Sequence, residues 1–241
     1  MTQSADAARH VRPDEDAVLA SLLGRRFSCR AFTSEPVPRA TIDRILELAQ
    51  RTASWCNSQP WQVVVTGGSA TEEFRSALYV HASATHAQGD PDFPFPREYH
   101  DIYLARRRES GFQLYDALGV GRGDRDAYLR QVLENFRFFG APHVAIVTSD
   151  EALGVYGAVD CGAYVANFLL AAEANGIAAI PQAALASYPE LIRSHFGLGP
   201  DRRVVCGISF GRADASHPAN SYRTSRAALA DVVRMEGTEW T

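Results

Sequence analysis

Arginine and hydroxyl side chains alternate near the beginning of the chain. The segment "RFSCRAF" places Arg26, Ser28 and Arg30 two residues apart, and an extended backbone directs such residues to one side. Two guanidinium groups with a hydroxyl can bind a phosphate or the polar edge of a ring, because guanidinium pairs with oxyanions through parallel hydrogen bonds. Taken alone, the segment favours an exposed charged turn after a helix.

Two further segments concentrate hydrogen-bonding side chains. In "SWCNSQPWQVVVTGG", Ser54, Asn57 and Gln59 precede an apolar run, and in "YRTSR" Arg223 and Arg226 flank hydroxyl groups. The alternatives are a plain polar turn for the first and a solvated tail for the second. Together with "RFSCRAF", the segments predict a site for one anionic, planar ligand with polar edges.

The usual catalytic motifs do not occur in the sequence. It contains no GxSxG, Walker A or HExxH motif, and the GxGxG at residues 119–123 follows a predicted helix, not a strand. That context does not fit a dinucleotide fingerprint. No metal site and no catalytic side chain are predicted. A redox cofactor that carries its own chemistry would account for this pattern.

Composition excludes several classes of partner. The net charge of −4 gives no global basic field for nucleic acid, and no apolar run approaches the length of a membrane span. The N-terminal segment lacks the apolar core of a signal peptide. We expect a cytoplasmic protein without nucleic acid or membrane partners, whose four cysteines are separate thiols: Cys29, Cys56, Cys161 and Cys206.

Helices dominate the elements that must position these segments. Few short strands among many helices predict an α+β fold in one domain, residues 16–241, after a disordered lead-in of residues 1–15. The predicted helices are residues 16–25, one capped by Thr41, one beginning near Thr71, 98–118, 126–138, 156–175 and one capped by Ser187; the predicted strands are 61–66, 142–148 and "RVVCGISFG".

The segment 156–175 is apolar on nearly all sides and precedes Gly176, a residue typical of a helix end. A helix of this kind has to be surrounded, either by its own core or by a second subunit.

These motifs resemble those of the FMN-dependent nitroreductase family. The family pattern Arg-x-Ser-x-Arg-x-Phe appears as "RFSCRAF", and Ser-x-x-Asn-x-Gln-Pro-Trp appears as "SWCNSQPW". A Pro-Gln step follows the central helix in "NGIAAIPQAALASYPEL", and a late strand with a basic tail appears as "VVCGISFGRADASHPANSYRTSR". The resemblance covers about residues 18–235, and "FFGAPHVAIVT" with the tail is similar to the nitrobenzoate and nitrobenzene reductase branch.

The resemblance implies a nitroreductase-like sandwich, with a small mixed or antiparallel sheet flanked by helices. Its long central helix would lie at a homodimer interface that holds FMN. Phe27, which stands where many members carry a second Arg, and Gly211, at the turn after the last strand, are also expected among the cofactor-binding residues. In the implied FMN site, Arg26 and Ser28 contact the phosphate and ribityl chain, and Arg30 lies near flavin N1 and O2. The backbone of Pro181, Gln182 and Ala183 runs along the ring, and Arg223 and Arg226 surround the phosphate. The partner subunit contributes Ser54, Asn57 and Gln59.

The resemblance also implies a two-step reaction. NAD(P)H would reduce FMN and leave, and a small aromatic acceptor would then be reduced from nitro through nitroso to hydroxylamine. Five aromatic side chains of residues 87–115 would cover the acceptor: Phe93, Phe95, Tyr99, Tyr103 and Phe112. The alternative is that they only pack in the core beside an ordinary helix. The alternatives are the same fold acting on quinones, enones or halogenated phenols, and a flavin-storage protein without turnover.

Overall fold

A computed structural model describes residues 13–237 of the chain. The described part contains seven α-helices and four β-strands. The helices are α1 (Pro13–Arg25), α2 (Arg39–Ala49), α3 (Ser69–Ala84), α4 (Asp101–Ala117), α5 (Arg125–Leu133), α6 (Gly154–Ala174) and α7 (Pro189–Phe196). The strands are β1 (Gln62–Val65), β2 (His143–Asp150), β3 (Ala178–Gln182) and β4 (Arg202–Gly211).

The four strands form one antiparallel sheet in the order β1-β2-β4-β3. The α+β class and the small sheet are therefore confirmed. Strand β3 is missing from the sequence prediction because it is short and contains Pro181, which cannot donate to a ladder. The sheet tolerates this proline because β3 is the last strand of the order, where one side of the backbone lies outside the sheet.

Helices cover both faces of the sheet. Along β2, Ala145 and Val147 pack in a core with α2 and α6, whereas Val144 and Ile146 pack in a second core with α3 and α7. Neighbouring residues of a strand point to opposite faces, so a strand buried on both sides is apolar throughout. That is the reason for the continuous apolar run in this segment.

Helix α6 is buried on one side and uncovered on the other. Tyr164 and Phe168 lie in the core, whereas Val155, Tyr156 and Val159 are 73%, 61% and 59% exposed. Contrary to the sequence expectation, residues 151–174 are long and apolar enough to cross a membrane, a test that the core helix of a soluble protein also passes. In this chain the helix is a core helix with an apolar outer stripe.

Several predicted helix ends are displaced. Helix α1 begins at Pro13, so residues 13–15 of the predicted lead-in are helical, and residues 1–12 lie outside the described range. Helix α2 begins before Thr41, which does not cap it. The capping box of Ser187 and Glu190 is also wrong, because Tyr188 precedes α7 and Glu190 pairs with Arg193.

The predicted helix over residues 126–138 ends earlier, at Leu133. A short 3-10 segment follows, in which Phe138 and Phe139 adopt positive φ angles of 57° and 51°. Both rings are buried, so packing in the core outweighs the helical pattern of this segment.

Asp92 anchors the loop of residues 87–96. Its carboxylate accepts hydrogen bonds from Arg193 Nη1 at 2.7 Å, Arg203 Nη1 at 3.2 Å and the Val204 N–H at 2.7 Å. The Asp92 side chain is 4% exposed. The first part of the predicted lid is therefore fixed to α7 and β4.

Candidate functional site

The segment "RFSCRAF" runs as an extended chain beside β3. Ser28 forms a parallel bridge with Ala179, and the Cys29 N–H donates to Ala179 O at 3.3 Å. The Arg30 N–H donates to Asn220 Oδ1 at 2.8 Å. Cys29 is fully buried, so the alternation predicted from the sequence places Arg26, Ser28 and Arg30 on the opposite side.

These three side chains line a cavity of about 400 Å³ together with the C-terminal segment. We call it the basic cavity; it is lined by Arg26, Ser28, Arg30, Arg223 and Arg226, with Phe27, Ser110, Tyr222 and Thr224 between them. Four guanidinium groups and no carboxylate line it, which is the donor set that a phosphate prefers. The structure thus joins two segments that lie about 190 residues apart in the sequence.

Phe27 positions one of these guanidinium groups. Arg223 Cζ lies 3.8 Å from the centre of the Phe27 ring, a cation–π contact. Arg223 Nη1 also donates to the carbonyls of Asn220 at 2.8 Å and Tyr222 at 2.7 Å. Although Phe27 has no polar atom, it helps to hold a positive charge at the basic cavity.

A second cavity, of about 240 Å³, adjoins the first at Arg30. We call it the ring cavity; it is lined by Arg30, Tyr115, Gln131, Asn135 and the residues Pro181, Gln182 and Ala183, with Leu114, Val132, Phe139 and Ile180. The Gln182 side chain points into the protein, where Nε2 donates to Asn135 O at 2.9 Å and Oε1 accepts from Ser209 Oγ. With that side chain engaged, backbone groups are the polar groups that residues 181–183 offer to the cavity.

The segment of residues 54–59, here called the polar loop, lies elsewhere on the molecule. Its conformation is strained, because Cys56, Asn57 and Gln59 have positive φ angles of 52°, 55° and 47°. Ser54 Oγ accepts from the Gln59 N–H at 2.9 Å, and Gln59 Nε2 donates to Asn57 Oδ1 at 3.2 Å. None of the three predicted residues of this loop lines the basic or the ring cavity.

The distance between the polar loop and the basic cavity can be measured along helix α6. The Trp55 N–H of the polar loop donates to Asp160, near the beginning of α6. Arg25, which lies next to the basic cavity, pairs at 3.0 Å with Glu173, near the end of α6. Since an α-helix rises about 1.5 Å per residue, these anchors lie about 20 Å apart. The polar loop and the basic cavity of one chain therefore occupy different ends of α6.

Gly211 lies outside both cavities. It ends β4, and a side-chain carbon at this position would lie 2.6 Å from Pro142 Cδ. Packing against Pro142 is thus sufficient to require a glycine here.

The five aromatic residues predicted over the acceptor do not line the cavities. Phe112 and Tyr99 instead lie under the guanidinium groups of Arg122 and Arg107, at 5.0 and 5.1 Å. The alternative of core packing is wrong for α4, because none of its residues is buried. Phe95 and Tyr103 are also largely exposed, and Phe93 is half-buried in the anchored loop.

Other residues of the site were not found from the sequence. Ser110 lines the basic cavity, and Tyr115, Gln131 and Asn135 line the ring cavity. Burial raises the pKa of Tyr115, the adjacent Tyr128 raises it further, and Arg107 partly offsets the rise. Its phenol therefore stays protonated and can donate a hydrogen bond. No spacing in the sequence singled these residues out, because α4, α5 and, for Asn135, the 3-10 segment after α5 bring them to the cavities.

Comparison with known proteins shows which family the chain resembles over most of its length. A model of the Nitroreductase family matches residues 23–212. Nitroreductase NfnB of Mycolicibacterium smegmatis is 37% identical over 217 residues, which cover 88% of this chain and 90% of that protein. The 4-nitrobenzoate reductase of a Nocardioides species is 34% identical over 220 residues, which cover 89% of this chain and 87% of that protein.

A solved structure shows the same fold. The crystal structure of the FMN-dependent nitroreductase NfnB from Mycobacterium smegmatis in complex with NADPH has a TM-score of 0.88 at 35% identity, covering 93% of this chain and all of that one. The family match spans both "RFSCRAF" and the last strand, and the resemblance inferred from the motifs is confirmed. The chain belongs to the nitroreductase family.

Proposed function

We propose that the protein is an FMN-dependent oxidoreductase that uses NAD(P)H to reduce nitroaromatic compounds to hydroxylamines. The observation that carries this proposal is the pair of cavities that meet at Arg30, one with four guanidinium groups and one walled by residues 181–183. A phosphate-bearing ligand with a flat ring fits this shape. The relatives named nitroreductase and 4-nitrobenzoate reductase support the reaction.

The residues of the basic cavity fit the phosphate end of FMN. Arg26, Ser28, Arg223 and Arg226 supply charged and hydroxyl donors without a competing carboxylate. Tyr222 Oη is buried and has no hydrogen-bond partner in the described part of the chain, and a ligand oxygen in this cavity would give it one. When bound, FMN takes two electrons from NAD(P)H and passes them to the acceptor.

The residues of the ring cavity would position a bound ring and stabilise charge on it. Arg30 brings a positive charge to the junction of the two cavities, where it stabilises negative charge on a bound ring. Pro181 and Ala183 form one wall, and Tyr115 offers a protonated phenol. The nucleotide and the acceptor would then use the same face of the bound ring in turn.

A homodimer completes the proposed site. The outer stripe of α6, with Val155, Tyr156 and Val159, is an apolar surface of the kind that a symmetric partner covers. The polar loop borders this stripe, because the Trp55 and Tyr156 rings meet at 4.4 Å. A second copy docked on the stripe can bring its Ser54, Asn57 and Gln59 to this chain's cofactor, which the chain's own polar loop does not reach.

Absorbance spectroscopy of the purified protein tests the proposal. After addition of FMN and gel filtration, we expect a flavin spectrum that NADPH or NADH bleaches without oxygen, and that 4-nitrobenzoate or nitrobenzene restores with formation of the hydroxylamine. Arg26→Gln should lower FMN occupancy, whereas Arg44→Gln, a change of an exposed arginine on α2, should not. A colourless protein, or a bound flavin that neither nucleotide bleaches, contradicts the proposal.

A further inference from the structure

A third cavity, of about 450 Å³, lies on the other side of Arg30. It shares Arg30, Gln131 and Phe139 with the ring cavity, so the two are contiguous. We call it the anion cleft; its chemically active lining is Arg30, Arg75, Gln131, Glu134, Arg137, Asp214 and His217. The proposed cofactor contacts in the basic and ring cavities do not require this space.

Arg75 is a positive charge with incomplete pairing. Its side chain is 18% exposed, and it pairs with Glu72 at 3.3 Å and donates to Ala141 O at 2.6 Å. Its Nε is buried and has no partner in the described part of the chain. Burial lowers the pKa of Arg75; the Glu72 carboxylate offsets part of this, and the charge of Arg137 lowers the pKa further. A bound anion would relieve this repulsion between the two guanidinium groups.

His217 adds a further donor to the cleft. The Ala219 N–H donates to His217 Nδ1 at 3.2 Å. Because Nδ1 accepts, Nε2–H is the donor that this side chain can offer.

The two carboxylates of the cleft do not cancel its charge. Asp214 accepts from the N–H and Oγ of Ser216 at 2.9 and 2.6 Å, within its own turn. Glu134 pairs with Arg137 at 3.4 Å, and the Arg137 side chain is 55% exposed. Three guanidinium groups face these two carboxylates in the lining, and the Glu72 carboxylate that pairs with Arg75 lies outside it.

We propose that the anion cleft binds the oxyanion group of a ligand whose ring stacks on the cofactor ring proposed for the ring cavity. The group is the carboxylate of an aromatic acceptor or a phosphate of the pyridine nucleotide. This inference rests on the proposed function and extends it to a class of substrate, since electron-poor arenes with an acidic substituent gain charge-assisted hydrogen bonds that neutral arenes cannot make.

Benzoate and benzamide probe the cleft directly, because neither is reduced and they differ in charge. Calorimetric titration of the holoenzyme should show that Arg137→Gln weakens benzoate relative to benzamide by about tenfold, the loss expected for one charge-assisted hydrogen bond. Arg44→Gln is the matched control, since Arg44 is 58% exposed and pairs with Glu47 at 3.2 Å with the same three-residue spacing. That variant should keep the wild-type ratio.

A second variant should change the affinity for benzoate in the opposite direction. Glu134→Gln removes the carboxylate that pairs with Arg137, and it should tighten benzoate by about threefold relative to benzamide. A folding defect cannot produce opposite effects from two neighbouring substitutions, and the flavin spectrum of each variant reports its occupancy.

Steady-state kinetics identify the source of the anion. If Arg137→Gln lowers the kcat/KM ratio of 4-nitrobenzoate to nitrobenzene, the acceptor carboxylate occupies the cleft. If it raises the KM of NADPH and NADH and leaves benzoate binding as in wild type, a nucleotide phosphate does. Changes below twofold in every arm overturn the inference. Benzoate binding needs no turnover, so this failure is distinct from a failure of the proposed reaction.

Discussion

At the scale of single residues, Phe27 shows how an apolar side chain can support a guanidinium group that lines a cavity. The ring stacks under the Arg223 guanidinium at 3.8 Å, and Arg223 in turn lines the basic cavity. A second arginine at this position, as many family members carry, would place like charges side by side. The departure from the family pattern therefore replaces a direct contact with support for another residue.

Substitution of Phe27 tests this support. Phe27→Leu keeps an apolar side chain but removes the π face, which contributes about 0.5–2 kcal/mol to a cation–π contact. The Kd of FMN, measured by fluorescence quenching on addition of apoprotein, should rise about fivefold, whereas Phe27→Trp should keep it near the wild-type value. Equal affinity in Phe27→Leu and wild type would show that Arg223 does not depend on the ring.

Residue types and local spacing predicted which side chains of "RFSCRAF" would lie together. The alternation of Arg26, Ser28 and Arg30 was sufficient because a strand-like backbone has a fixed period, and the structure places the three in one cavity. Ser110 and Tyr115 escaped notice because α4 has no buried residue and no apolar face from which its orientation follows. Where a helix docks on a cavity is decided by packing between distant segments.

At the scale of elements, the buried Asp92 ties the loop of residues 87–96 to α7 and β4. Burial alone would raise the pKa of this carboxyl, but the hydrogen bonds from Arg193, Val204 and Arg203 and the charge of Arg193 outweigh it and lower the pKa below its usual value of 3.8. A carboxyl with a lowered pKa stabilises the fold above its unfolded pKa. The contribution disappears as the pH falls through the folded pKa.

Asp92→Asn should lower the free energy of unfolding at pH 7 by about 2–4 kcal/mol, because it leaves Arg193 with one carboxylate fewer in a buried position. Urea unfolding at a series of pH values should show the difference from wild type shrinking below about pH 4, because the carboxyl of the unfolded chain takes up a proton there while the folded one is still ionised. Asp90→Asn, an exposed change in the same loop, provides the control. A difference that is constant down to pH 3 would contradict the assignment.

Among the elements, the long regular ones were predictable and the short irregular ones were not. Strand β2 and helix α6 follow from sustained apolar patterns. Strand β3 does not, because it contains a proline and owes its conformation to pairing with β4. The end of α5 at Leu133 likewise depends on the burial of Phe138 and Phe139, which no helical period reveals.

At the scale of the whole molecule, an exposed apolar stripe on α6 and a polar loop that does not reach the cavities occur in the same chain. The homodimer proposed above would cover the stripe and bring the polar loop of one copy to the cavities of the other. The apolar helix and the resemblance predicted a dimer, but the distance between the polar loop and the basic cavity required the structure.

The separation of about 20 Å between the polar loop and the basic cavity along α6 has a genetic consequence. If each site combines the arginines of one copy with the polar loop of the other, two defective proteins can restore each other. Arg26→Ala and Asn57→Ala should each be nearly inactive alone. A mixed dimer then contains one site with both lesions and one site with none.

Random reassociation of equal amounts of the two variants should recover about a quarter of wild-type activity, because about half of the dimers are mixed and half of their sites are intact. Co-expression with two different affinity tags isolates the mixed species, which should bind one FMN per dimer. If the mixture stays as inactive as its parents, each chain uses its own loop. If each chain uses its own loop, two inactivating alleles of this gene in one cell would fail to complement each other. If the site is shared between copies, the same two alleles would restore activity together.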